Sequence, residues 1–297
     1  NVTMEFNFIL PKNFKEQSIS HLLAETWFIP RKQRHFLRMK RHILVNGEPV
    51  NDNYRVSASQ QITLLFDHED FPELDVPFGD AKQAEILYED EHLVIANKPE
   101  QMKTHGNSKD ELALQNHVAA ALKQPVYVVH RLDQATSGLV LFAKNQFVLP
   151  LLGQLFEKNK IHRQYLALVK GHFPKEQFII NQPIGNDRHD KSRRIVAKGG
   201  QEAITHVEVL QRFPQSTLIR CLLDTGRTHQ IRVHLTHLGH PIVGDVLYGG
   251  TRNNRLMLHA QELYFKHPFT DQHIKISVDS QTFSENLPDF SAQKRPF

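Results

Sequence analysis

Between Val126 and Ala143 two apolar, strand-like runs flank a polar loop, His130-Arg131-Leu132-Asp133-Gln134-Ala135-Thr136-Ser137-Gly138. The loop gathers an imidazole, a guanidinium, a carboxylate and two hydroxyls, and loops held between rigid strands are where reacting groups tend to sit. Glycoside cleavage by paired carboxylates is not indicated, since Asp133 is the only acid in the loop. His130, Asp133 and Ser137 invite a serine-hydrolase reading. No Gly-x-Ser-x-Gly elbow accompanies them, however, and a triad is assembled in space rather than within one loop. Asp133 beside a cation can instead be a carboxylate nucleophile, kept ionised by the neighbouring charge. The same residues also fit a buried aspartate that caps a turn, with Thr136 and Ser137 bonding local backbone. Local chemistry leaves these last two readings level.

A second segment, Thr228 to Leu238, reads as a helix with Thr228 as its N-cap and Gly239 as its stop. Ile231, His234, Leu235 and Leu238 form its apolar face. Arg232 lies off that stripe, in the first turn, and is free to reach a carboxylate. Nineteen histidines, among them His229, His234, His237 and His240, raise the question of a metal. None is expected, because no His-Glu-x-x-His pattern is present and His234 is expected to pack or bond within the helix face. The single cysteine, Cys221, excludes a cysteine zinc site and a disulfide scaffold, and suits a reducing compartment.

His130 to Leu139 resembles the H-R-L-D-x-x-T-S-G-L signature of RluA-type pseudouridine synthases. Further blocks follow in that family's order. Arg163-Gln164-Tyr165-Leu166-Ala167-Leu168-Val169-Lys170-Gly171 is similar to its K/R-x-Y-x-A-x-V-x-G block, and Gly226 to His234 matches G-R-T-H-Q-I-R-V-H. His240-Pro241-Ile242-Val243-Gly244-Asp245 and Leu258-His259-Ala260 complete the set. The resemblance spans roughly residues 85 to 270. It implies an α+β catalytic domain with a mixed, largely antiparallel sheet. It also implies isomerisation of uridine in structured RNA to pseudouridine without a cofactor. The base is detached at nitrogen 1, turned, and rejoined through carbon 5.

By the same resemblance Asp133 is the catalytic carboxylate, by either a nucleophilic or a glycal route, and Arg232 is the cation beside it. Tyr165 faces the target base, stacking on it and helping proton removal at carbon 5. Arg131, with His130 next to it, is expected at the RNA, the guanidinium filling the gap left by a flipped base. The run Glu100-Gln101-Met102-Lys103-Thr104-His105 departs from the family pattern, and is expected to border the site and bear on substrate choice. Large-subunit ribosomal RNA is the expected substrate and transfer RNA the second. A catalytically silent RNA-binding or ribosome-assembly factor is the alternative, against which intact Asp133, Arg232 and Tyr165 argue.

These groups need a scaffold, and 297 residues allow about two domains. With 40% hydrophobic and 23% charged residues the chain is neither disordered nor a coiled coil. The net charge of +4 suggests a polyanion partner only weakly, but its placement says more. Arg31, Lys32, Arg34, Arg38, Lys40 and Arg41 follow one another without an acid. They fall on and around a helix that precedes Ile43-Leu44-Val45-Asn46-Gly47-Glu48-Pro49-Val50, a hairpin with an Asn-Gly turn. This arrangement is similar to the small RNA-binding domain of S-four-type ribosomal proteins, with the basic face against phosphates. Leu22, Leu23, Trp27 and Phe28 predict an earlier helix, interrupted by Pro30, and Gln61 to Leu65 predicts a closing strand. Arg193 and Arg194, and the pair Arg252 and Arg255, are further phosphate-contact candidates.

Asp67, Glu69, Asp70, Glu73, Asp75 and Asp80, interspersed with Pro72 and Pro77, read as a linker. The expected organisation is therefore an RNA-binding domain at 1–66, a linker at 67–84 and a catalytic domain at 85–297. No apolar run is long enough to span a membrane, and the opening residues lack the order of a signal peptide. A cytoplasmic, monomeric protein with RNA as its partner is expected.

Overall fold

The computed structural model describes residues 2–288. The end of the domain expected at 85–297, residues 289–297, therefore lies outside the described residues, as does residue 1.

At the N-terminal end a small antiparallel sheet runs in the order Val2–Ile9, Gln61–Asp67, Ile43–Val45, Glu48–Pro49. Its first strand was not among the sequence expectations. Along that strand Phe6 and Phe8 turn inward while Glu5, Asn7 and Ile9 face out, the two-residue period of a half-buried strand. The hairpin turns at Asn46 and Gly47, with φ of +48° and +85°, as a two-residue turn of this hand demands. The helix Arg31–Met39 follows Pro30 and buries Gln33 and Leu37. The helix expected over Leu22 to Phe28 begins three residues earlier, widens, and ends at Thr26, with Phe28 at φ +52°. A single turn Ile19–His21, capped by Ser18, runs into a π-helical turn Leu22–Thr26.

The larger body is built on a ten-stranded sheet. In order across it lie Gln177–Asn181, Ile204–Arg212, Ser216–Leu223, His162–Lys170, Leu258–Lys266, Ser137–Ala143, Leu93–Lys98 and Glu85–Glu89. Tyr127–Val128 and His273–Ser277 add to it off this path. Among the described residues the one parallel pairing joins Ser137–Ala143 to Leu258–Lys266 and spans just two residue pairs, Ser137 with His259 and Gly138 with Ala260. The sheet is thus mixed and largely antiparallel, as the resemblance implied. Gly138 is required at that junction. Its φ is +124°, and a Cβ there would lie 2.1 Å from the Ala260 carbonyl oxygen. The glycine lets the strand approach closely enough to seat the loop that precedes it.

The two sheets share a core. Phe6 meets Phe147 at 5.1 Å between ring centroids, and Phe8 meets Phe269 at 4.5 Å. Aromatic pairs of this kind contribute about 0.5–1.5 kcal/mol each beyond the area they bury. The acidic stretch that follows is bonded along its length. Asp67 and Asp70 form a capping box around the short helix His68–Asp70. Gln33 donates to the Asp70 carbonyl at 2.8 Å. Further on, Asn116 donates to the Pro77 carbonyl, and the Asp80 N–H donates to His117 Nδ1. Its charge and prolines describe its composition, but its backbone is held by side chains of the helices Arg31–Met39 and Leu114–Leu122. Among the described residues no helix is long and apolar enough to cross a membrane.

Candidate active site

The loop from His130 to Thr136 is pinned from behind. Thr104 Oγ1 bonds both the N–H and the carbonyl of Leu132, each at 3.1 Å. Lys98, fully buried, donates to the carbonyls of Pro99, Met102 and Gln134, so the three donors of its ammonium each find an acceptor. The segment 100–105, expected to border the site, instead lies behind the loop and lines none of the cavity in front of it. His130 is likewise structural. Its Nε2 accepts from the Leu141 N–H at 2.9 Å and its ring stacks on Phe156 at 4.2 Å. Burial, reinforced by Arg163, pushes its pKa down to about 3, so it is neutral and offers RNA no charge. Ser137 does not face His130; its hydroxyl bonds His259 Nδ1 at 2.7 Å, and no hydrolase triad forms.

In front of the loop is a cavity of about 440 Å³ where Arg131, Asp133, Arg163, Tyr165 and Arg232 come together. Arg232 Nη1 donates to Asp133 Oδ2 at 3.1 Å. Its Nε and Nη2 donate to the two oxygens of Asp245, both at 2.9 Å. Burial works against the charge on Arg232, but Asp245 and Asp133 outweigh it and raise its pKa. The other oxygen of Asp133, Oδ1, has His229 Nε2 at 3.7 Å, beyond hydrogen-bond reach. Burial lowers the pKa of His229, so this ring adds no full positive charge at neutral pH.

The helix carrying Arg232 spans Gln230–His237, shorter than the expected Thr228 to Leu238. His229 occupies the N-cap in a left-handed conformation, φ +56°, in place of Thr228. Its buried face differs from the predicted stripe as well: Leu238 is exposed, and Arg232 itself is buried. His234 is buried and bonded to Thr205 and to the Gln182 carbonyl, as a packing residue.

Tyr165 is buried in the cavity wall. Burial raises its pKa, with Asp133 and Cys221 adding to the effect against Arg163. The expected share in proton removal at carbon 5 is therefore disfavoured, and its ring is what it offers. Arg131 is exposed at the rim of the cavity. Arg193 and Arg194 gather around Tyr248. The Arg193 guanidinium lies over its ring at 5.1 Å, and the Arg194 N–H donates to its hydroxyl. Arg232 lies over the same ring at 5.2 Å, and His229 Nδ1 bonds the hydroxyl at 2.7 Å. Asp245, Tyr248 and His229 were missed as site residues. The signal available was the acid that closes the His240 to Asp245 block.

Of the N-terminal cations, Arg31, Lys32, Arg38 and Arg41 are exposed, and Arg34 donates to the Ile29 carbonyl. Lys40 is not available to phosphate, because its ammonium is taken up by Asp67, Glu69 and Asp70 at 2.7, 3.2 and 2.7 Å. Those three acids line no part of the cavity. Arg255 is also spoken for: it is buried and donates to Glu100, Ser137 and two backbone carbonyls.

The RNA pseudouridylate synthase family matches residues 92–237, and the N-terminal domain of RluD ribosomal pseudouridine synthase matches residues 6–62. An uncharacterized RNA pseudouridine synthase of Bacillus subtilis is 38% identical over 255 residues, covering 82% of this chain and 83% of the relative. A ribosomal large subunit pseudouridine synthase C of Vibrio vulnificus is 32% identical over 267 residues, covering 84% of each chain. Among solved structures, human RNA pseudouridylate synthase domain containing 1 superposes with a TM-score of 0.60 at 26% identity, over 72% of this chain and 89% of the human one. With its motif blocks drawn around one cavity, the chain belongs to the RluA/RluD-like family of RNA pseudouridine synthases, isomerases that act on uridine in RNA.

Proposed function

We propose that Asp133 is the catalytic carboxylate of this synthase and that large-subunit ribosomal RNA is its substrate. The observation that carries the first part is the division of labour around Arg232. Asp245 holds two of its three nitrogens, the third holds Asp133 Oδ2, and among the described residues no donor reaches Oδ1 within hydrogen-bond distance. A carboxylate so placed is held beside a cation yet keeps one oxygen for reaction. That oxygen either bonds to the anomeric carbon as the bond to nitrogen 1 breaks, or removes the neighbouring ribose proton. In both routes the bonding pair leaves with the base. As the anomeric carbon bonds to carbon 5, its bond to Asp133 breaks in the first route, or the abstracted proton returns to the ribose in the second. The proton on carbon 5 is then lost to solvent and nitrogen 1 takes one up.

Tyr165 stacks on the base, a contact worth about 1–3 kcal/mol. Arg131, at the rim, fills the space of the extruded uridine, whose removal from the stack costs a few kcal/mol. The ribosomal substrate is supported by the relative from Vibrio vulnificus and by the N-terminal match to a ribosomal synthase. A cytoplasmic location goes with that substrate.

Pseudouridine mapping of total RNA from cells with and without the protein, complemented by wild type or Asp133→Asn, tests both parts. Sites in large-subunit ribosomal RNA are expected to vanish and to return only with the wild type. Sites in transfer RNA alone would move the substrate. Rescue by Asp133→Asn would remove the role of Asp133, and no change at any site, with purified protein inactive, would leave a silent RNA binder.

A further inference from the structure

Among the described residues Arg163 is a buried cation without an anionic partner. It lies on strand His162–Lys170, two residues before Tyr165 and on the same face, and both side chains line the cavity. Among the described residues no carboxylate lies within ion-pair distance of it, no acceptor takes its N–H groups, and its Nε is buried and unbonded. The other two arginines buried among the described residues are each ion-paired, Arg232 with Asp245 and Asp133 and Arg255 with Glu100. Burying a charge unpaired is costly, so a fold that does it is holding the group for something that arrives later.

The site is also built to receive that guanidinium. Its plane lies over Phe156 at 5.4 Å, and Phe156 is backed by the neutral His130. Gly226 makes room for it, since a Cβ there would lie 2.3 Å from Arg163 Nη1. The φ of Gly226 is not among the positive ones, so space rather than backbone conformation calls for glycine.

We infer that Arg163 is an anion site of the cavity, taking an anionic oxygen of the flipped nucleotide beside Tyr165. This rests on the reading of the site given above. Two oxygens have the required chemistry. When the glycosidic bond breaks, the electron pair leaves with the uracil, and its negative charge spreads onto the two carbonyl oxygens. The phosphodiester flanking the target is the other source. A planar guanidinium with free donors suits either.

The test uses the full-length protein and a large-subunit ribosomal RNA transcript carrying tritium at uridine carbon 5, whose release counts turnovers. Arg163→Met is expected to lower kcat/KM about 10²-fold, the scale of removing one donor to a developing anion. Its Tm should be unchanged or higher, because an unpaired charge has left the interior. Gly226→Ala should reproduce the loss by displacing the guanidinium, and Arg163→Lys should recover part of it. If the uracil is the source, kcat falls while RNA affinity stays at the wild-type value. If the phosphate is the source, affinity falls about tenfold and its salt slope drops by about one, with kcat at saturation retained.

Wild-type kcat and affinity in Arg163→Met would overturn the anion site. So would a fall in Tm that accounts for all the lost activity while Gly226→Ala stays fully active. Those results would leave Asp133 in its role. Absence of tritium release by wild type, or its persistence in Asp133→Asn, would instead bring down the underlying reading and this proposal with it.

Discussion

Lys40 and Arg232 each sit among carboxylates, at 2.7–3.2 Å from three in one case and 2.9–3.1 Å from two in the other. Around Lys40 every acid converges on one small ammonium, and Asp67 and Asp70 also close a capping box. The cluster lies away from the cavity. Arg232 has a planar fork, and its donors are divided: Asp245 occupies one side and the other touches a single oxygen of Asp133. One arrangement ties the N-terminal helix to the strip that joins the sheets. The other holds a carboxylate half-exposed at a cavity with one oxygen unbonded. What separates a structural cluster from a reactive one here is whether donors and acceptors are used up.

Substitutions can break this contrast in order of size. Arg232→Met leaves Asp133 and Asp245 without their shared cation. It should abolish tritium release and cost about 3–5 kcal/mol of stability, the scale of breaking a buried pair, read as a large fall in Tm. Asp245→Asn keeps the shape but loosens the fork. We expect activity about 10²-fold lower at unchanged RNA affinity, since small misplacements of a reacting group cost that much. Activity near wild type would mean that Asp133 orients itself.

Lys40→Met should do the opposite, lowering Tm while the folded enzyme keeps its turnover. Its effect depends on pH. The hydrogen bond from Lys40 lowers the pKa of Asp67 below its ordinary 3.8, and those from Asp67 and Asp70 raise that of Lys40 above 10.5. The stabilisation is therefore fully present between those two ordinary values. It is lost as pH falls through the depressed value of Asp67, or rises through the elevated value of Lys40. Thermal melts should show the gap between wild type and Lys40→Met closing below about pH 4. A gap constant down to pH 2 would mean the ion pairs contribute nothing. The smallest effect belongs to Arg31→Ala and Arg41→Ala, exposed cations, each expected to reduce the salt slope of RNA binding by about one with no change in kcat.

Much of the fold was legible where local rules decide it. The Asn46-Gly47 hairpin, the helix after Pro30 and the strands flanking the His130 to Thr136 loop follow from turn chemistry and apolar period. The π-helical turn at Leu22–Thr26 was not legible, because its widening has no signal in residue spacing. Nor was the first strand, whose inward phenylalanines matter only through the rings of the catalytic body that they meet.

The candidate site divides the same way. Residue types left Asp133 level between a nucleophile and a turn cap, and it was the resemblance of the motif blocks to the family that singled out Asp133, Tyr165 and Arg232. Sequence could not tell which charges are already spent. Lys40 and Arg255 look like phosphate contacts in a list of basic residues, and His130 looks like a group at the RNA. Each is neutralised or saturated by partners far away along the chain: Asp67 and Asp70, Glu100, and the Leu141 N–H and Phe156. Arg163 is the converse, a cation that looks ordinary in sequence and that only the tertiary structure leaves buried and unpaired. The sequence by itself determined which functional groups this protein owns. Burial and distance, which exist only once the sheets have closed, decided which of them remain free to act.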